Sequence, residues 1–285
     1  MTLRNKLGRA MARVRGRASL HQALRARTPL YDPAFPAVVM WSEKSACTVT
    51  VRWFFHHIGR LDEAVARHIW VHVWENEVFK AAPGYLDACA AAIRDGRPVI
   101  KFVRNPYTRA FSGFLETCRP RTLTELEHWS AVTRAEVVAH LFGAGADAAT
   151  PYSFNQFAGW LSAQQADRLD GHLAPQVQDV EKRIGTEAIR LEDHDNPFRY
   201  AETRLGLPST EANRRLYVSG HHHRKQAAPD AAVAAFLDTP VPVERPEGFA
   251  IPDPSAEVLA ASSAGAALRR LFAPDFAAYG YELLA

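Results

Sequence analysis

The chain is 285 residues long, 47% hydrophobic and 23% charged, with a formal net charge of +3. This is enough for one sizeable core and an ordinary globular composition, which argues against a fibrous or disordered chain. No apolar run approaches the roughly 20 residues that span a bilayer, and the three cysteines, Cys47, Cys89 and Cys118, suggest neither a disulfide framework nor a zinc site. The expectation is a cytoplasmic protein with no leader peptide and no bound metal.

The charge is uneven. Residues 1–31 carry eight basic side chains and no acidic one, so removing that +8 from the total of +3 leaves the remainder near −5. Leu3, Leu7, Met11 and Val14 recur at helical spacing. The tail therefore reads either as a basic amphipathic helix for an anionic membrane surface or polyanion, or as a solvated extension. The first alternative places the protein at the inner membrane surface. No nucleic-acid partner is expected, and residues 32–285 read as a single domain.

In chain order, AVVMW (37–41) predicts a buried strand, and TVTVRWFFHHIG a helix closed by Gly59. PVIKFV (98–103) predicts a second buried strand, followed by RNP and the helical stretch YTRAFSGFLETC. TRAEVVAHLF carries helical periodicity and opens with a Thr133–Glu136 capping-box pattern, and YSFNQFAGWLSA is also helical. EAIRLED (187–193) predicts a third strand, with a helix from about Asn196 to Gly206 after it. A proline-rich stretch then precedes a last helical region containing LRRLF. Strands alternating with helices predict an α/β three-layer fold with a central, mostly parallel sheet flanked by helices.

Two strand–loop–helix junctions suggest chemistry. In WSEKSACTVTV the first N–H groups of a helix face a loop, a natural place for an anion. Ser45, Ala46 and Cys47 are small enough for phosphate oxygens to approach the backbone. Thr48 and Thr50 offer hydroxyls, and Lys44 adds a mobile charge. The glycines of a Walker nucleotide loop are missing, and a merely solvated lysine in a connection is the alternative at this point. In VIKFVRNPYTRAFSGFLE, Arg104 ends a strand and Ser112 lies two turns into the next helix, so both are candidates for one phosphate. Asn105–Pro106 reads as a helix-starting turn, and Arg109 as a structural or surface residue.

Together, KSACT and VRNPYTRAFSGFL resemble the paired signatures of the sulfotransferases that use 3′-phosphoadenosine 5′-phosphosulfate (PAPS), in their carbohydrate branch. GHLAPQ (171–176), AIRLED and the closing LRRLFAPDFAAYGYEL are similar to further segments of that branch, in order, over residues 37–283. Glu43, Val49 and Phe272 stand where the branch usually has proline, serine and tyrosine. The resemblance implies a P-loop-NTPase-like sulfotransferase fold. It implies that residues 44–50, Val49 included, hold the 5′-phosphosulfate and that Arg104 and Ser112 hold the 3′-phosphate. The acceptor would be a hydroxyl, on a saccharide or glycolipid.

For such a transfer Lys44 would neutralise charge on the departing oxygen, and a histidine would take the acceptor's proton. His172, in the HLAPQ segment, and His72, in IWVHVWEN, are the two candidates. Arg224 and Lys225, at the end of HHHRK, would close over the 3′-phosphate. Three consecutive histidines do not face one metal ion from regular structure. Trp70, Trp74, Trp129 and Trp160 are core residues or sugar platforms. The competing readings are a nucleotide-dependent kinase and a non-enzymatic polyanion- or membrane-surface adaptor with a degenerate nucleotide site.

Overall fold

In the computed structural model the three expected strands form a parallel sheet in the order β1 (Val38–Trp41), β2 (Val99–Val103), β3 (Glu187–Arg190). The structure describes residues 20–68, 70–213, 216 and 225–284. The expectations for the basic tail before residue 20, for the histidines 221–223 and for Arg224 lie outside these residues, as does the side chain of Lys225. Between β1 and β2 come α1 (Cys47–His57) and α2 (Tyr85–Arg94). Between β2 and β3 come α3 (Pro106–Thr117), α4 (Trp129–Phe142), α5 (Phe154–Ser162) and α6 (Asp179–Ile184). After β3 comes α7 (Pro197–Leu205).

The described residues fall into two compact units. The first is drawn from Met1–Ser42, Ala46–Val103 and Gln178–Ser219, the second from Glu43–Ser45, Arg104–Val177 and Gly220–Ala285.

The first unit holds the sheet. Val39 pairs with Ile100, and Ile100 with Glu187. Strand side chains alternate between faces, and here each face meets an apolar layer. Val39, Ile100, Phe102 and Ile189 join Val51, Trp53, Phe54 and Phe55 of α1. Val38, Met40 and Val99 join Ala90 and Ala92 of α2 and Val180 of α6. A parallel sheet covered on both sides favours near-continuous apolar runs, which is why β1 and β2 are easy to see in the sequence. One residue breaks the rule. Lys101, in mid-β2 and fully buried, places its ammonium 2.5 Å from the Glu181 carboxylate, so a buried ion pair sits within this layer.

The second unit is mainly helical, with its own aromatic core. Phe114 lies 6.0 Å from Tyr152, 5.7 Å from Phe154 and 5.6 Å from Phe157, ring centre to ring centre. Arg134 is buried and donates to the carbonyls of Ala148 (2.6 Å), Thr117 (3.1 Å) and Thr150 (2.9 Å). One side chain thus satisfies backbone acceptors at the end of α3 and in the 148–150 loop.

Two boundaries differ from the sequence expectation. Helix α4 starts at Trp129, with His128 Nδ1 accepting from the Ser130 N–H (3.3 Å), so Thr133 is an interior, buried helical residue and caps nothing. The Thr-x-x-Glu spacing is as compatible with a helix interior as with its start. The capping box in this stretch is Ser153–Gln156, at the start of α5. Strand β3 ends at Arg190, and Leu191–Asp193 turn as a 3₁₀ helix. Helix α7 matches the expectation: Asn196 caps its start and Gly206, at φ 66°, ends it.

Candidate functional site

The loop after β1 is strained. Among the described residues, the non-glycine positions with positive φ are Lys44 (64°) and Ala46 (58°). Left-handed backbone costs a residue with a Cβ roughly 1–2 kcal/mol, and such outliers gather at functional sites. Ala46 is also the N-cap of α1, where it has no side-chain oxygen to offer, and the first turn holds no acidic residue. The start of α3 contrasts with this: Asn105 Oδ1 accepts from the Tyr107 N–H (3.0 Å) and Pro106 needs no partner, as the helix-starting turn implied. The N-terminal dipole of α1 therefore meets no counter-charge or cap from its own side chains.

Not every residue of the 44–50 run faces outward. Thr50 is fully buried and its hydroxyl donates to the Ala46 carbonyl (3.1 Å), so the expectation that it offers a hydroxyl to an anion is corrected: that group is spent inside the helix. Val49 is buried in the apolar layer and can contribute backbone only. Ser45 is also buried, its hydroxyl turned to Gln176 Oε1 at 2.6 Å. Cys47 and Thr48 are half-buried.

Gln176 organises the second unit. Its Oε1 accepts from Ser45 Oγ and from the Arg104 N–H (3.0 Å), and its Nε2 donates to the Arg104 carbonyl (2.7 Å). Its own N–H and that of Val177 donate to the buried carboxylate of Asp275, at 2.9 and 2.8 Å. Arg104 Nη1 in turn donates to the Lys44 carbonyl at 3.3 Å, and its Nε to Thr108 Oγ1 at 3.2 Å. KSACT, VRNP, HLAPQ and PDFAAYGY, far apart in sequence, thus meet through one amide. Arg109 is structural and not a surface residue: it donates to the carbonyls of Glu43 (2.8 Å), Ala174 (2.7 Å) and Gly171 (2.8 Å). Gly113 lets the same segment lie on α3, since a Cβ there would come 2.8 Å from Leu173 Cδ2. Ser112 is half-buried, one turn beyond Thr108.

The Lys44 ammonium lies 3.1 Å from the Glu116 carboxylate, which also pairs with Arg119 Nε (3.1 Å) and Arg121 Nη2 (2.5 Å). Burial works to raise the Glu116 pKa, but Lys44, Arg119 and Arg121 together hold it down at about 2. Lys44 therefore shares its carboxylate with two other cations.

Three histidines have distinct surroundings. His172 is half-buried; its Nδ1 lies 2.6 Å from Asp170 Oδ1, and its ring stacks on Trp129 at 4.2 Å and 9°. A proton on Nδ1 held by Asp170 leaves Nε2 as the acceptor atom. His128 has its Nδ1 engaged by the Ser130 N–H and hydroxyl, and burial, followed by the Arg121 charge, lowers its pKa. It also lies within electrostatic reach of both His172 and Glu116. In the first unit, His72 places Nδ1 2.6 Å from Glu75 Oε2 and Nε2 3.4 Å from Thr48 Oγ1. Burial opposes its charge, yet hydrogen bonds to Cys47 and Glu75 and their charges outweigh this and raise its pKa to about 10. Of the tryptophans, Trp74 and Trp160 are core, Trp70 is half-buried, and Trp129 presents a ring beside His172.

Glu116, Gln176 as a hub, Thr108, Asp170, Glu75 and Asp275 were absent from the sequence-based candidates. Asp170, two residues before His172, and Glu75, three after His72, carried a local signal. Among the described residues, no His, Cys, Asp and Glu group is arranged to hold a metal ion, and no helix is long and apolar enough to cross a membrane. No family model, curated protein or solved structure matches this chain.

Proposed function

We propose that the protein transfers a sulfuryl group from PAPS to a hydroxyl, on a saccharide or glycolipid. The observation that carries the reading is the Gln176 hub. It holds Ser45 and both backbone groups of Arg104 on one amide, while Arg104 bonds the Lys44 carbonyl. Two loops that the sequence marks as anion cradles are thus tied together, as a nucleotide with phosphates at both ends requires. Arg104 supplies a charged fork for the 3′-phosphate, with Thr108 and Ser112 as neighbouring hydroxyls. The Lys44 ammonium takes the phosphosulfate end.

Sulfuryl transfer needs in-line geometry and charge stabilisation more than covalent help. Lys44 moves from Glu116 to the bridging oxygen as charge develops there, and Glu116 stays ionised on Arg119 and Arg121. His172 Nε2 takes the acceptor's proton, its ring held by Asp170 and Trp129. His72, protonated at neutral pH, is unsuited to that task.

Calorimetry with adenosine 3′,5′-bisphosphate tests the reading. Wild type binds it and does not bind ATP with magnesium. Arg104→Ala loses roughly 2 kcal/mol of affinity or more by leaving a phosphate unpaired, whereas Lys44→Ala chiefly lowers turnover. Binding of ATP with magnesium in place of the bisphosphate would move the kinase reading ahead.

A further inference from the structure

A cleft of about 600 Å³ lies in the second unit, and none of the residues assigned to sulfuryl transfer lines it. Its walls are α8 (Asp230–Leu237), α9 (Ala256–Ala261) and the start of α5. Ala231, Ala234 and Leu237 recur at helical spacing and line the cleft along one face of α8. Val258 and Ala261 do the same on α9. Asp230 and Asp238 stand at the two ends of the α8 face, about 12 Å apart along the helix axis. Glu257, in the first turn of α9, adds a third carboxylate. No basic residue lines the cleft, and none of the three carboxylates has an ion-pair partner among the described residues.

Asp238 works against its own helix. It is the C-cap of α8, whose last turn holds no basic residue, and a helix C-terminus already concentrates negative potential. Asn155 Nδ2 donates to its Oδ1 at 2.7 Å. That bond fixes the amide's orientation, with Nδ2 on the carboxylate and the Asn155 Oδ1 turned from it. The Asn155 Oδ1 is buried and accepts no hydrogen bond among the described residues. A buried acceptor without a donor is costly and calls for a bound partner. The carboxylates are not arranged to hold a metal ion. What the cleft offers is negative charge at the ends of α8 and aliphatic surface between them.

We propose that this cleft binds a linear polyamine. One terminal ammonium pairs with Asp238 and, with a small rotation of the Asn155 side chain, donates to its Oδ1. The other terminal ammonium pairs with Asp230, and the methylenes between them lie on Ala234 and Leu237. The inference stands independently of the sulfuryl-transfer reading.

The test is calorimetry of spermidine binding to the full chain, with the unfolding temperature of each variant as a check on its fold. Wild type binds one spermidine. Putrescine, too short to span the α8 face, binds at least roughly fivefold more weakly. Asp230→Asn combined with Asp238→Asn weakens spermidine binding at least roughly tenfold. Ala234→Phe, which fills the cleft without changing its charge, also weakens it at least roughly tenfold. Asp167→Asn combined with Glu282→Gln, at exposed positions outside the cleft, leaves affinity within about twofold. If Ala234→Phe unfolds, the two carboxylate pairs decide. No binding at millimolar spermidine overturns the proposal, as does wild-type affinity in either folded cleft variant. Equal weakening by the outside pair overturns it too, because the attraction would then be that of an acidic surface as a whole.

Discussion

His72 with Glu75 and His172 with Asp170 are the same pair in two settings. In each, Nδ1 lies 2.6 Å from a carboxylate oxygen. The Glu75 side chain is 0% exposed and that of Asp170 43%. In the first pair burial opposes charge on His72, yet its interactions with Cys47 and Glu75 outweigh this, and Lys80 and Trp41 lock Glu75 in place. The second pair is partly open to solvent, and a stacked Trp129 holds the plane of the His172 ring. Equal geometry does not mean equal surroundings; a buried, locked carboxylate holds its histidine differently from one that is partly open to water.

The sharpest way to break this contrast is to remove each carboxylate. Glu75→Ala leaves His72 and Lys80 as buried, uncompensated cations and should cost on the order of 3–5 kcal/mol in urea unfolding. Asp170→Ala should cost less than about 1 kcal/mol, because its pair is solvated. Equal losses would show that the two settings do not differ as described. Next, His172→Asn should lower sulfuryl transfer roughly 10²–10⁴-fold, with bisphosphate affinity within about twofold of wild type in calorimetry. If binding falls as far as turnover, His172 holds the donor and is not the base.

A smaller effect concerns acid. The Glu116 pKa is depressed from 4.5 to about 2, so its ion pairs stabilise the fold above pH 4.5, and that stability is lost as pH falls through 2. The loss is on the order of 3 kcal/mol. Glu116→Gln should flatten this part of the curve of unfolding free energy against pH. Smallest of all, Thr50→Val removes only a hydroxyl bonded within α1 and should leave bisphosphate affinity unchanged in the same calorimetry.

The first two strands were legible because Val38–Trp41 is apolar throughout and Val99–Val103 is apolar except for Lys101, and the limits of α7 because Asn196 and Gly206 act locally. What stayed hidden was long-range polar pairing. Lys44 meets Glu116 across 72 residues, Ser45 meets Gln176 across 131, and Lys101 meets Glu181 across 80. No periodicity or cap reports such partners, which only packing brings together. Lys44 read as a free anion-binding charge; in the fold it rests on a carboxylate. Thr50 read as a ligand hydroxyl because sequence spacing does not say which way a helical side chain turns.

The most direct measurement is hydrogen exchange on the full chain with and without adenosine 3′,5′-bisphosphate. Slower exchange concentrated in peptides covering residues 43–50 and 104–112, with no change on adding ATP and magnesium, is the result this account predicts. Saturating bisphosphate that leaves both peptides exchanging at their free rates would contradict it.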